Sequence, residues 1–427
     1  MLGGASGRVH VAAVEGIDVL GLRSKITRIG LDIGAEGTRV AQLERVRADF
    51  RLGAFTEGRH AAPASVPSGE GKKPVAATQP TVTDLALPEH LRECLERSAA
   101  RGRRVAIGLA SPDIELHPLE LPPFSADTAS EYAQIAHVEI QRLAGKEHGE
   151  LETAYWALPK GVGRSPTAVG VAASRVTVDR LLSVCREAHL DCETVDAAAC
   201  AVVRTAGLVL GARPGAIWGV LDLGARQTRL VLCVDQTPVL ARAVGDGGRG
   251  WTERIAEELR ISAEAAEIHK CDVGIEPGRR GVRRSGATGT SEPGAALRES
   301  VLPPAGSEGG RRELAEVIFG VLQPPLARLV TEIERSFSYV LSCYPSSKAR
   351  DVILVGGGAG MRGLPEFLSS QLGIAVQRLG DAAGGAASRL MTPMQRSGAS
   401  LSSVKTSVAS LERLATAIGL ALRGDET

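Results

Sequence analysis

The chain has 427 residues, 44% hydrophobic and 23% charged, and its 50 basic residues nearly balance 49 acidic ones for a net charge of +1. That length carries roughly two to four domains' worth of core. The near-neutral balance gives no global field for nucleic acid or an anionic membrane, and 3% aromatic residues are too few for base-stacking platforms.

The most apolar run, Gly207–Gly224, is broken by Arg213 and Pro214 and falls short of the ~20 apolar residues of a membrane span. Glu15 and Asp18 interrupt the N-terminal apolar run, which therefore does not read as a secretory leader. The cysteines (94, 185, 192, 200, 233, 271, 343) are odd in number and form no CxxC, so free thiols in a reducing cytoplasm are expected. The histidines (10, 60, 90, 117, 137, 148, 189, 269) show no paired metal spacing, and no GxSxG is present.

Taken in chain order, Thr27–Ile33 and Arg39–Arg45 read as strands joined by the turn GAEGT. Residues 57–83 are rich in Pro, Ala, Ser, Thr and Gly. Val105–Leu109 is a short strand, Ala126–Leu143 a helix, Ala168–Ala173 a strand and Val178–Ala188 a helix. Ile217–Leu223 and Arg229–Val234 form a second strand–turn–strand unit around GARQT. Residues 272–311 are dominated by Gly, Pro, Arg and Ser, and their cluster Arg279, Arg280, Arg283 and Arg284 reads as a solvated face.

Leu326–Leu341 repeats apolar residues at three and four, with Pro324 and Pro325 at its expected start. Asp351–Val355 is a strand running into Gly356-Gly357-Gly358 and on to Leu364–Leu372; residues 381–409 are Ala, Gly and Ser-rich; Leu411–Leu422 is a closing helix. The three biased stretches bury too little apolar surface to offset chain ordering and are expected as mobile insertions. The alternation of strands and helices indicates an α/β protein.

The two hairpins carry the chemistry. Leu31-Asp32-Ile33-Gly34-Ala35-Glu36-Gly37-Thr38-Arg39 and Leu221-Asp222-Leu223-Gly224-Ala225-Arg226-Gln227-Thr228-Arg229 match position for position, 190 residues apart, which suggests a duplicated domain. Glycine lets backbone N–H groups approach phosphate oxygens, and a Thr hydroxyl adds a donor. An Asp in such a turn is best used to hold a hydrated Mg²⁺. Two facing turns would clamp a polyphosphate, and the flat surface of Gly356, Gly357 and Gly358 suits a purine face. One DxG alone would be an ordinary β-turn; the matched pair with a third glycine turn is more specific.

With these turns in this order, the chain resembles the actin-like ATPase superfamily of actin, sugar kinases, MreB and FtsA, and within it the PilM-like type IV pilus assembly proteins. The resemblance runs from about residue 27 to 424. Beyond the two hairpins it rests on GDGGRGWTERIAEELRISAEAAEIHK, VILVGGGAGMRGLPEFLSSQLGIAVQRL, ATAIGLALRG and LHPLELPPFSADTASEYAQIAHVEIQRL. It implies an actin-like fold with two duplicated lobes around a nucleotide cleft. The first lobe would take 27–103, 195–215 and 410–424, after an N-terminal extension at 1–26. A small α/β subdomain would be inserted at 104–194, the second lobe would be 216–380, and 381–409 would be a linker.

The resemblance implies ATP and Mg²⁺ as cofactors. Asp32 and Asp222 would organise the metal through water; Gly34, Arg39, Gly224, Ala225 and Thr228 would line the phosphates; Glu267 and Lys270 would approach the ribose; Gly356, Gly357 and Gly358 would meet the adenine. On the residues alone, Glu267 and Lys270 read equally as solvated helix charges. Arg39 stands where the family usually carries Lys, and Ala35 where Ser is common; guanidinium and ammonium are not equivalent phosphate ligands. The candidate for positioning an attacking water is Asp196, within Val195–Ala201, a small-residue run that looks more like helix packing.

The expectation is therefore a nucleotide-binding scaffold with at most weak ATPase activity, cytoplasmic and held at the inner membrane through partners, with no membrane insertion of its own. The implied partner is the N-terminal peptide of a PilN-like membrane protein, beside the helix carrying Ile135, Val138 and Ile140, with motor ATPases and a platform protein as further partners. A sugar-kinase-like phosphotransferase and an FtsA-like filament former are the rival readings of the same fold.

Overall fold

Both strand–turn–strand units form, and each opens a five-membered succession of strands with the same order. The computed structural model describes residues 25–46, 49–60, 82–85, 87–122, 129–145, 149–163, 165–277, 308–391 and 409–424. The interiors of the three stretches expected as insertions lie outside the described residues, as does the arginine cluster at 279–284.

In chain order, β1 (Lys25–Ile26), β2 (Ile29–Ile33), β3 (Gly37–Val46) and β4 (Asp49–Arg59) are followed by α1 (Val82–Leu85) and α2 (Pro88–Ser98). Next come β5 (Arg104–Leu109), β6 (Ile114–Leu119), α3 (Ala129–Ala144), β7 (Leu151–Ala157), β8 (Ala168–Ser174), α4 (Arg175–Glu187), β9 (Asp191–Ala197) and α5 (Ala198–Leu210). The second half runs β10 (Ala216–Leu223), β11 (Gln227–Val234), β12 (Thr237–Asp246), α6 (Gly248–Leu259), α7 (Ala263–Asp272) and α8 (Glu308–Cys343). It closes with β13 (Lys348–Val355), the turn Gly357–Gly360, α9 (Leu364–Leu372), β14 (Ala375–Arg378), α10 (Leu379–Ala383), α11 (Gly385–Met391) and α12 (Ala409–Ala421).

The first sheet orders β4, β3, β2, β5 and β9, with β1 on the far end of β3; the second orders β12, β11, β10, β13 and β14. In both, three antiparallel strands continue into two parallel ones. This repetition realises the duplication that the matched hairpins suggested. A third, three-stranded sheet orders β6, β8 and β7 and carries α3. Arg104–Leu109 and Asp191–Ala197, at the two ends of the stretch expected as the inserted unit, are central and edge strands of the first sheet. The separate small core holds Leu119, Tyr132, Ile140 and Leu151.

Between the two large sheets stand α5 and α12. Their core joins Ala41, Leu43 and Leu52 of the first sheet to Trp218, Val220 and Val355 of the second. The approach is close: a Cβ on Gly30 would sit 1.9 Å from the Ala417 carbonyl oxygen, and one on Gly419 1.8 Å from that of Ala201. The backbone of α12 thus lies directly on β2 and α5, a distance that admits only glycine.

Three expectations need correction. The long helix does not start at the prolines: α8 runs 36 residues from Glu308, with Pro324 and Pro325 inside it. Each proline removes one helical N–H donor, but Leu314, Ile318 and Leu322 continue the buried stripe upstream, and that burial holds the first half helical. By length and hydropathy, Gly309–Cys343 is also apolar enough to cross a membrane, although charged residues and the two prolines break its apolar run in the sequence. Its buried side packs into the second lobe's core. Lastly, 381–391 forms α10 and α11 rather than linker, because Leu379, Ala387, Leu390 and Met391 reach the shared core.

Candidate functional site

Asp32 and Asp222 are the penultimate residues of β2 and β10, and antiparallel pairing sets Arg39 opposite Asp32 and Arg229 opposite Asp222. Adjacent side chains across such a pair are within contact range. Arg39 Nη1 donates to Asp32 Oδ2 at 3.1 Å and Arg229 Nε to Asp222 Oδ2 at 3.2 Å, with Arg229 Nη2 at 3.0 Å. Arg39 also lies 3.3 Å from Glu57 Oε1, a carboxylate shared with Arg413.

Both aspartates are mostly enclosed, at 19% and 14% side-chain exposure. Burial raises the Asp32 carboxyl above the ordinary range, the Arg39 guanidinium pulls it back, and the Asp222 charge across the cleft raises it again.

The second turn is buttressed from behind. Gly247 N, Gly248 N and Arg249 N donate to the carbonyls of Arg226, Gly224 and Ala225 at 2.8–2.9 Å. The GDGGRG segment thus stacks on GARQT before entering α6. Thr228 is fully buried and its hydroxyl donates to the Asp246 carbonyl at 2.7 Å, whereas the equivalent Thr38 hydroxyl, also fully buried, has no hydrogen-bond partner among the described residues. Glu36 of the first turn pairs with Arg249 across the lobes.

The third turn closes over the second. Gly356 has φ 85°, and a Cβ there would lie 2.5 Å from Asp222 Oδ1. Its N–H donates 2.8 Å to the Glu412 carbonyl of α12, while the Glu412 carboxyl, pushed upward by burial, accepts from Gly380 N. Gly357 and Gly360 have open space where a side chain would be, and a Cβ on Gly358 would lie 2.9 Å from the Leu223 Cβ. The third turn thus packs on Asp222 and Leu223 of the second hairpin, and Glu36 of the first turn reaches Arg249 behind the second.

Glu267 and Lys270 stand slightly apart. Lys270 Nζ is buried and donates to Gly248 O, Thr252 Oγ1 and Glu267 Oε2 at 2.5–2.8 Å, so it fixes Glu267 and the turn behind Gly224. Glu267 remains half exposed, its carboxyl lowered chiefly by the Lys270 and Thr252 hydrogen bonds against the penalty of burial. Asp196 is not poised as a base: Arg204, Arg423 and the Ala197 N–H surround its carboxylate at 9% exposure. The roles of Arg229, Arg249 and Glu57 were not read from the sequence; the signal that could have found Arg229 is the Arg that follows the Thr in both hairpins.

A cavity of about 380 Å³ opens beside the hairpin. The β5–β6 loop and β6 (Leu109, Ile114, His117) form one wall, the start of α5 (Ala198, Val202) another, and β10–β12 of the second lobe the third; Asp222 and Arg229 line it too. The small sheet is also tied directly to the second lobe, by Trp156 Nε1 donating to Pro238 O at 2.8 Å and Tyr344 Oη to Pro159 O at 3.2 Å.

No protein-family model matches the chain, and no curated protein matches it in sequence. Among solved structures, a chain of a PilM-PilN type IV pilus biogenesis complex is similar over 94% of this chain and 99% of its own, at a TM-score of 0.64 and 20% identity. The chain has the actin-like ATPase fold. Looser similarities within this fold include the ethanolamine utilization protein EutJ from Carboxydothermus hydrogenoformans, with 14% identity, 95% and 92% coverage and a TM-score of 0.43. MreB 5 of Spiroplasma citri bound to AMPPNP follows, with 13% identity, 83% and 92% coverage and a TM-score of 0.39.

An actin-like fold implies a nucleotide and a metal, and the residues answer differently for each. The glycine turns and the Thr38 hydroxyl, unpartnered among the described residues, leave polar capacity for a polyphosphate. The aspartates do not fit Mg²⁺ as they are held, since each carboxylate already carries a guanidinium. Among the described residues no cluster of three His, Cys, Asp or Glu could hold a metal ion.

Proposed function

We propose that this chain is an ATP-binding scaffold of a type IV pilus or related secretion platform, docking the N-terminal peptide of a PilN-like membrane protein and held at the inner membrane by it. The observation that carries the nucleotide half is the pair of opposed glycine turns with matching Asp–Arg pairs. The docking half is supported by the fold shared with a chain of a PilM-PilN complex and by the cavity between the small sheet and the second lobe.

Bound ATP supplies a polyphosphate anion that spans both turns. The backbone N–H groups around Gly34, Gly224 and Ala225 meet its oxygens, with the Thr38 hydroxyl as a further donor. The open face of Gly357 accepts the purine, and Glu267, held by Lys270, accepts from a ribose hydroxyl. Because the cavity draws its walls from both lobes, its width follows the angle between them. A nucleotide that favours one angle changes the cavity's affinity for a peptide only through that difference.

With Asp196 enclosed by arginines, no carboxylate is assigned to phosphoryl transfer. Calorimetric titration of the full chain with the N-terminal peptide of a PilN-like protein, with and without ATP, tests both halves. The expected result is peptide binding whose affinity changes with ATP. Failure to bind peptide removes the docking half, failure to bind ATP removes the nucleotide half, and equal affinities remove the coupling.

A further inference from the structure

The cations of this cleft are part of the protein. A Cβ placed on Gly34 would lie 3.0 Å from Arg39 Nη1, and one on Gly224 3.6 Å from Arg229 Nη2. Both guanidinium heads therefore rest against the glycine of their own turn. The same cross-strand register puts them there in both lobes, Arg39 opposite Asp32 and Arg229 opposite Asp222.

The electrostatic consequence is specific. A hydrated Mg²⁺ is attracted to a pair of carboxylates whose charge is uncompensated, and it keeps several waters while using one or two of them. Here each carboxylate faces a monocation at hydrogen-bonding distance, and Glu57 shares Arg39 and Arg413 on the first side. The four groups Asp32, Arg39, Asp222 and Arg229 sum to zero, so a dication gains little there. A guanidinium instead presents several donors in one plane, suited to two phosphate oxygens at once.

Resting on the polyphosphate reading above, we propose that Arg39 and Arg229 hold the nucleotide phosphates directly and that binding needs no divalent ion. On binding, each arginine shares its N–H groups between its aspartate and a phosphate oxygen, and the aspartates act as positioning residues that fix the guanidinium planes. Arg229 also lines the cavity, so its reorientation is felt there.

The test is ATP titration of the full chain by calorimetry, in Mg²⁺ and in EDTA, for the wild type, the double variant R39Q/R229Q and the charge-retaining R39K/R229K. The wild type is expected to bind with affinities within about threefold in the two buffers, a difference under ~1 kcal/mol. R39Q/R229Q is expected to lose about tenfold or more in EDTA, as charged hydrogen bonds disappear, and to regain part of it in Mg²⁺ because the carboxylates are now free. R39K/R229K, with both charges kept, controls for folding and should show a urea midpoint near that of wild type. A wild type that loses tenfold or more in EDTA overturns the proposal while leaving ATP binding intact, as does an R39Q/R229Q variant that binds like wild type in EDTA. A wild type that binds in neither buffer overturns the nucleotide reading itself.

Discussion

Gly356 is where backbone and site constrain one another most tightly. Its φ of 85° already lies in the left-handed region, and a methyl group would press into Asp222 Oδ1 at 2.5 Å and the Leu223 carbonyl at 2.8 Å. Gly356→Ala is expected to cost about 1–3 kcal/mol, read as a lower urea midpoint, and to weaken ATP binding because Asp222 and Arg229 move together. An unchanged midpoint would mean that the turn relaxes freely. His60 offers a pH test. Burial lowers its imidazole, the nearby His90 ring at 4.9 Å adds to that, and the hydrogen bond to Gly34 O opposes it. A depressed folded value means that the unfolded chain takes up the proton first, so stability is lost as pH falls through about 6.5. Unfolding midpoints across pH 5.5–7.5 (a window set by the ordinary His value) should fall more steeply for wild type than for His60→Gln. Parallel curves would remove His60 from the acid response.

At the scale of elements, α8 and the α5–α12 pair make opposite predictions. Pro324 withholds a donor in mid-helix, so Pro324→Ala is expected to stabilise by about 1–3 kcal/mol; a loss of stability would show that the proline shape is needed for packing. Arg204 anchors α5 to the Asp196 carboxylate and the Gly419 carbonyl of α12, at 12% exposure. Arg204→Met removes the nearer of the two guanidinium groups facing a carboxylate at 9% exposure and is expected to cost about 3–5 kcal/mol, while adding Asp196→Asn to that variant, which removes the stranded charge, should recover part of the loss in the same denaturation assay. Equal, small losses would make the pair incidental.

The elements that could be read beforehand were those with clean periodicity: both hairpins, β13 into the glycine turn, α9 and α12. β12 escaped because two register shifts against β11 break its alternation. β6 was hidden by His117 and Pro118, and β4 by glycines and charges along a strand that pairs on β3. α10 and α11 were hidden by an Ala, Gly and Ser composition whose few large residues still reach the core. The gathering of turns was legible because Gly, Asp and Thr recur at one spacing; the neutralisation of each Asp by its Arg was not, because it depends on which residues face across a hairpin.

Across the whole molecule, the lobes share one core through α5 and α12, so they should unfold as a unit. Trp218 lies in that shared core, Trp251 in the second lobe and Trp156 in the small sheet. Tryptophan fluorescence and far-ultraviolet dichroism are expected to report coincident urea midpoints, and ATP at about a hundred times its Kd should raise the common stability by ~2.7 kcal/mol. Separate midpoints would mean that the small sheet or one lobe melts alone.

The return of α12 to the first sheet also sets a timetable for the growing polypeptide. β2, β3 and β5 leave the ribosome early, yet Ala417 and its neighbours, which cover them, are translated roughly 300–400 residues later, on the order of half a minute at about 5–20 residues per second. Through that interval the second lobe can assemble its own core around α8 while the first waits with an uncovered apolar face. The first half of the chain is thus the last to finish, and until then it is the natural client of a chaperone.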